Sequence, residues 1–160
     1  MKRTKFRRSA GNPTLFGVLG RAFRPPSRAA LAADMAAIER GEGRTTVCLF
    51  RGLYGTYPRR FRRKMLDLGP DELVIRHFWS SPSWSRYGIR RDDIVSARVR
   101  QRELRTDFNV PGSPFDYANF DIVTCETAEG ILELAVPRPD VPLVLRYVNS
   151  RSVASADQDS

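Results

Sequence analysis

Arg51, Arg59, Arg60, Arg62, Arg63 and Lys64 crowd one short stretch of the chain, with Tyr54, Tyr57 and Phe61 set between them. A guanidinium group donates paired, planar hydrogen bonds to phosphate oxygens, and a lysine adds a mobile point charge. Aromatic rings interleaved with such charges suit insertion at a lipid–water boundary, so Tyr57 and Phe61 are candidate interface aromatics. The same run also fits a plainer role, a solvated turn whose charges protect a sheet edge. The residues alone leave both readings open. A second set, Arg98, Arg100 and Arg102, alternates along one expected strand face and is read as exposed. It either extends a basic stripe or, as we expect, pairs with acids on a neighbouring strand.

Catalytic chemistry finds little footing. The single histidine, His77, sits in mid-strand, and Cys48 and Cys125 lack the CxxC spacing of a zinc site. No phosphate-binding glycine loop and no GxSxG nucleophile turn occur. Asp92-Asp93 and Asp116 with Asp121 are carboxylate pairs without an evident partner. We therefore expect a non-enzymatic protein with no cofactor and no metal. The two cysteines read as small buried hydrophobes in a reducing compartment.

The charge is polarised. Residues 1–64 hold 16 basic and 3 acidic side chains, while residues 65–160 hold 11 and 15. Such a field attracts anionic partners: a phospholipid surface first, then nucleic acid, then an acidic protein. The opposing consideration is that 24 of the 27 basic residues are arginine, a bias that a GC-rich genome also produces. No apolar run is long enough to span a bilayer. The segment TLFGVLG after MKRTKFRR imitates a signal peptide, but it is short, and Arg21 and Arg24 come directly after it. The expected location is cytoplasmic, with peripheral contact at the inner membrane face.

These residues need elements to position them. Residues 1–26 read as a basic arm, in which Thr14 to Phe23 forms either an interfacial segment or a strap packed on the domain. Residues 27–41 read as a helix, N-capped by Ser27, with Leu31, Met35 and Ile38 on one face and Gly41 as its stop. From residue 45 the pattern turns to strands. They are expected at Thr45 to Tyr54, Lys64 to Leu68, Glu72 to Trp79, Trp84 to Tyr87 and Ile94 to Glu103, then at Phe120 to Glu126 and Ile131 to Val136. On the fifth, Val95, Ala97 and Val99 should face one way and Ser96, Arg98 and Arg100 the other. Trp79 and Trp84, with Phe78 and Tyr87, are expected to fill the core. A turn at Ala128-Glu129-Gly130 joins the last two strands. An apolar helix comes next, with Asp140 as N-cap and Val141, Val144, Leu145 and Val148 on one face. Residues 151–160 form a small, polar tail read as disordered.

Four strands, a polar corner, three strands and a terminal helix make a mainly β (α+β) fold: a seven-stranded antiparallel, partly open barrel with a helix closing one end. The segments LDLGPDELVIRHFW, GIRRDDIVSARVR and TAEGILELAV followed by a helix resemble the bacterial pleckstrin-homology-like (PH-like, GRAM-like) families over residues 45–150. In those families an isoleucine after an acidic pair opens the fifth strand, as Asp92-Asp93-Ile94 does here. The resemblance implies a binding module in which cations flanking the first hairpin hold a phosphorylated head group. The lysine–arginine alternation of specific lipid binders is missing, so diffuse attraction to anionic lipid is the expectation. The alternatives are a nucleic-acid-binding barrel and a protein-interaction scaffold.

Overall fold

The computed structural model describes residues 26–53, 57–77, 87–101 and 119–150. The expectations for the arm, the Thr14 to Phe23 segment, Phe78, Trp79, Trp84, Arg102, Asp116 and the tail fall outside those residues.

Seven strands form one antiparallel sheet: β1 Arg44–Gly52, β2 Arg62–Leu68, β3 Glu72–Arg76, β4 Tyr87–Arg90, β5 Ile94–Arg100, β6 Phe120–Thr127 and β7 Gly130–Pro137. Helix α1 (Arg28–Glu39) precedes them and helix α2 (Val141–Asn149) ends the fold. The sheet order is β4-β3-β2-β1-β7-β6-β5, so the chain builds outward from β1 on one side and returns to it on the other. A 3-10 turn, Arg91–Asp93, links the two outermost strands. The sheet therefore curls strongly into a half-barrel, with both helices packed on it.

Ser27 Oγ accepts from the Ala30 N–H and starts α1, and Gly41, at a φ of 81°, lets the chain leave. Met35 and Ile38 enter the core, and Leu31 packs beside them. The core fills the inner face of the sheet. Phe50, Leu66, Leu73, Val123 and Leu134 meet Leu143, Val144, Tyr147 and Val148 of α2 there. Each such side chain contributes about 1.5–3 kcal/mol by leaving water. The outer face of the central strands is also apolar, with Val47, Leu49, Phe61, Phe120, Ile122 and Ala135 in a second buried cluster. β1, β6 and β7 are thus buried on both faces for much of their length. This explains why their sequences run apolar without strict alternation.

Several boundaries and roles differ from expectation. β1 ends at Gly52 and β2 begins at Arg62, so the first hairpin draws two of its arginines, Arg62 and Arg63, into the ladder. β4 covers Tyr87–Arg90, and the expected strand residues before Tyr87 lie outside the described ones. A bulge between Ile94 and Ser96 breaks the alternation of β5 at its start. As a result Val95 points to solvent, while Ala97 keeps its place against the core. Asp140 occupies the N-cap position of α2 but makes no capping bond. Its buried carboxylate instead accepts a 2.6 Å hydrogen bond from the Thr46 hydroxyl on β1, which ties the helix entry to the central strand.

One side chain closes the corner. Arg91 is 1% exposed, and its guanidinium lies over the Tyr147 ring, 4.4 Å from the centroid. It donates to the Tyr147 carbonyl at 2.9 Å, to Glu39 at 3.0 Å, to the Pro70 carbonyl at 3.5 Å and to Ser150 Oγ. The Tyr147 hydroxyl donates in turn to the Gly69 carbonyl at 2.7 Å. Both helix C-termini, the β2–β3 turn and the β4–β5 corner thus meet on one cation. Replacing Arg91 with Met would remove a donor from the Tyr147 and Pro70 carbonyls, the partner of Glu39 and the cation at the C-terminal dipole of α2. Arg91→Met is expected to cost about 3 kcal/mol in urea unfolding, and Arg91→Lys most of that because the planar stack is lost.

Candidate functional site

The hairpin between β1 and β2 is set by close approach at its base. The Gly52 N–H donates to the Pro58 carbonyl at 3.0 Å. A Cβ on Gly52 would stand 2.4 Å from Tyr57 Cβ, so only glycine lets Tyr57 fold inward here. Tyr57 packs edge-on against Phe50 and Tyr87, with ring centroids 5.5 and 5.3 Å apart.

Strand pairing then sorts the cations. Cys48 faces Lys64, Leu49 faces Arg63 and Phe50 faces Arg62 across the ladder. Side chains alternate along a strand, so Arg62 and Lys64 lie on the inner side and Arg51 and Arg63 on the outer. Six cations that are close in sequence do not form one cluster. Arg59, Arg60 and Arg62 are exposed, and among the described residues none of their side chains has an ion pair or hydrogen bond. Arg63 is half-buried.

The other two cations serve the structure. Arg51 stacks over the Phe61 ring at 4.5 Å and donates to Glu133. Arg100 donates to the other oxygen of the same carboxylate at 2.7 Å. Glu133 is buried, and burial alone would push its pKa up. The hydrogen bonds from Arg100 and Arg51, with their charges, outweigh this and hold it below the ordinary 4.5. Thr124, opposite Glu133 on β6, has a buried hydroxyl without a partner among the described residues.

Lys64 is 7% exposed, and its ammonium sits 5.9 Å from the Tyr87 ring centroid. Desolvation, assisted by the nearby Arg62 charge and only partly opposed by Cys48, lowers its pKa.

The two aromatics expected at an interface are placed elsewhere. Phe61 is 6% exposed inside the outer apolar cluster, and Tyr57 is half-buried against the inner core. Both are drawn in because ring burial and stacking outweigh contact with water. The exposed large apolar residue described in this connection is Leu53, at 53% exposure, whose N–H continues the sheet by donating to the Ile131 carbonyl. A lone leucine between Gly52 and Tyr54 carried no sequence signal.

The remaining candidates resolve simply. The expected pairing of the second arginine set is found for Arg100 with Glu133 and, more loosely at 3.8 Å, for Arg98 with Glu126. Asp121 takes a 3.2 Å bond from Arg138. Cys48 and Cys125 are free and buried, on strands separated by β7. Burial drives both thiols upward, Cys125 to about 12, so neither is reactive near neutrality. His77 is exposed just past the end of β3. A cavity of about 200 Å³ opens beside Tyr57, lined also by Ile89, Asp93, Thr127 and Glu129. Two of the lining residues, Asp93 and Glu129, are carboxylates. Among the described residues no cluster of His, Cys, Asp or Glu could hold a metal, and no helix is long and apolar enough to cross a membrane.

Comparison of the chain with known protein families and with curated proteins finds no match.

Two titrations check the electrostatics. The folded pKa of Glu133 is depressed, so its pairing stabilises fully above pH 4.5 and is lost as pH falls through the folded value. Glu133→Gln should cost about 2 kcal/mol at neutral pH, with the gap to wild type narrowing in acid. A gap that stays constant with pH would contradict the assignment. Lys64 has the opposite balance: its folded pKa lies below 10.5, so the protein gains stability as pH rises from the folded value toward 10.5. Lys64→Met is expected to raise the urea midpoint at neutral pH, by about 1 kcal/mol, and to lose that advantage in alkali.

Proposed function

We propose that this chain is a non-enzymatic, PH-like binding module that adheres to anionic phospholipid head groups through its β1–β2 hairpin. One observation carries the reading. Three exposed guanidinium groups, Arg59, Arg60 and Arg62, share the β1–β2 connection with the exposed Leu53 and have no ion pair among the described residues. An unpaired cation at a surface keeps its full attraction for phosphate, whereas a paired one is already partly neutralised. A neighbouring apolar side chain adds favourable transfer into the head-group boundary. The strand order and capping helix support the PH-like assignment, and the lysine-poor hairpin supports diffuse attraction over recognition of one head group. Arg51 and Lys64 act within this reading as supports for the hairpin, and Arg63 as an additional cation at its root.

In this account the site of action is the cytoplasmic face of the membrane, whose anionic lipids attract basic segments at about 1 kcal/mol per residue. The measurement is co-sedimentation of the full chain with vesicles of graded phosphatidylglycerol content, with DNA and RNA as competitors. Binding should rise with anionic content and fall with salt. Arg59→Ala/Arg60→Ala/Arg62→Ala should weaken it by on the order of a hundredfold, leaving the urea midpoint unchanged. Capture by nucleic acid alone would replace the lipid reading with the nucleic-acid one.

A further inference from the structure

The sheet has two outermost strands, and they are unequal. β4 spans four residues, whereas β5 spans seven and, among the described residues, is paired on one side only, with β6. An unpaired strand edge presents a row of backbone donors and acceptors to any extended chain. Proteins usually protect such an edge by covering it or by turning charges inward. Here two of the three exposed large hydrophobic side chains among the described residues, Val95 and Val99, lie on this strand, at 67% and 42% exposure.

The two faces of β5 differ in chemistry. Ala97 and Val99 stand opposite Cys125 and Val123 of the core, on the face where α2 packs. Arg98 and Arg100 stand on the other face, opposite Thr124 and Ile122. Arg98 is the open one, with 71% of its side chain exposed and a single loose 3.8 Å contact to Glu126.

We propose that the free edge of β5 is a docking site for an extended acidic segment of a partner protein, which adds to the sheet as an eighth strand. The period of a strand fixes the partner's pattern. Apolar side chains of the added strand continue the inner face beside Val99, and the alternate acidic ones meet Arg98 on the outer face. Charge decides against a second copy of this chain. β5 reads IVSARVR, with two arginines and no acid. Pairing it with itself therefore offers Arg98 and Arg100 only neutral or like-charged neighbours in any register. This site is separate from the β1–β2 hairpin and stands or falls independently of it.

The probe is a fluorescent peptide of about ten residues alternating glutamate and valine, set against one alternating lysine and valine. Both are titrated with the full-length protein by anisotropy. The glutamate peptide should bind, the lysine peptide should not, and Arg98→Glu should weaken binding about tenfold at an unchanged urea midpoint. Arg59→Ala/Arg60→Ala/Arg62→Ala should leave the affinity within about twofold. Hydrogen exchange of the complex should show new protection at residues 94–100. The proposal is overturned by equal binding of both peptides, by no binding up to about millimolar peptide, by protection at residues 57–64 in place of β5, or by self-association of the protein through β5.

Discussion

The buried guanidinium of Arg91 is the constraint on which the half-barrel depends. A curled sheet that does not close must hold its two halves together at the corner where they meet. Here three element ends converge on that corner: the ends of α1 and α2 and the turn before β3. The end of α2 presents the Tyr147 carbonyl, the turn presents the Pro70 carbonyl and the end of α1 presents the Glu39 carboxylate. A planar group with five donors satisfies several at once, and the Tyr147 ring covers its face. An isolated buried charge would be prohibitive. This one is tolerated because Glu39 reaches it from a half-exposed position and the backbone supplies the remaining acceptors.

The exposed cations lie elsewhere, on the connection between β1 and β2. Strand periodicity distributes the hairpin's cations between structure and surface. Arg51 is committed to Glu133 and Phe61, and Lys64 is drawn under Tyr87, while Arg59, Arg60 and Arg62 remain in water. The division has an electrostatic logic. Glu133 neutralises part of the charge beneath the sheet, so the exposed arginines are less strongly repelled by their own scaffold. The cavity lined by Asp93 and Glu129 lies beside Tyr57.

The architecture was legible because it is written in local signals. Ser27 and Gly41 bracket α1, the Ala128-Glu129-Gly130 turn joins β6 to β7, and Asp92-Asp93-Ile94 marks the corner. The features that could not be read depend on the third dimension. Arg91 and Arg90 are indistinguishable in sequence, yet one is a fully buried side chain at the corner and the other is exposed. Phe61 looked like an interfacial ring because arginines surround it. Only the pairing of β1 with β2 and β7 shows that the outer face beneath it is apolar. Glu133, between two leucines, reads as the solvent side of a strand until its two arginines are seen. Leu53 gave no signal at all.

The central proposal is that the β1–β2 connection touches the anionic surface, and a probe at Leu53 tests it most directly. Cys48 and Cys125 are buried with strongly raised thiol pKa values, so Leu53→Cys can be labelled selectively with an environment-sensitive fluorophore. Vesicles rich in phosphatidylglycerol should shift its emission to the blue, salt should reverse the shift, and zwitterionic vesicles should leave it unchanged. Protein that sediments with anionic vesicles while the label stays in water would contradict the account, because another face would then be making the contact.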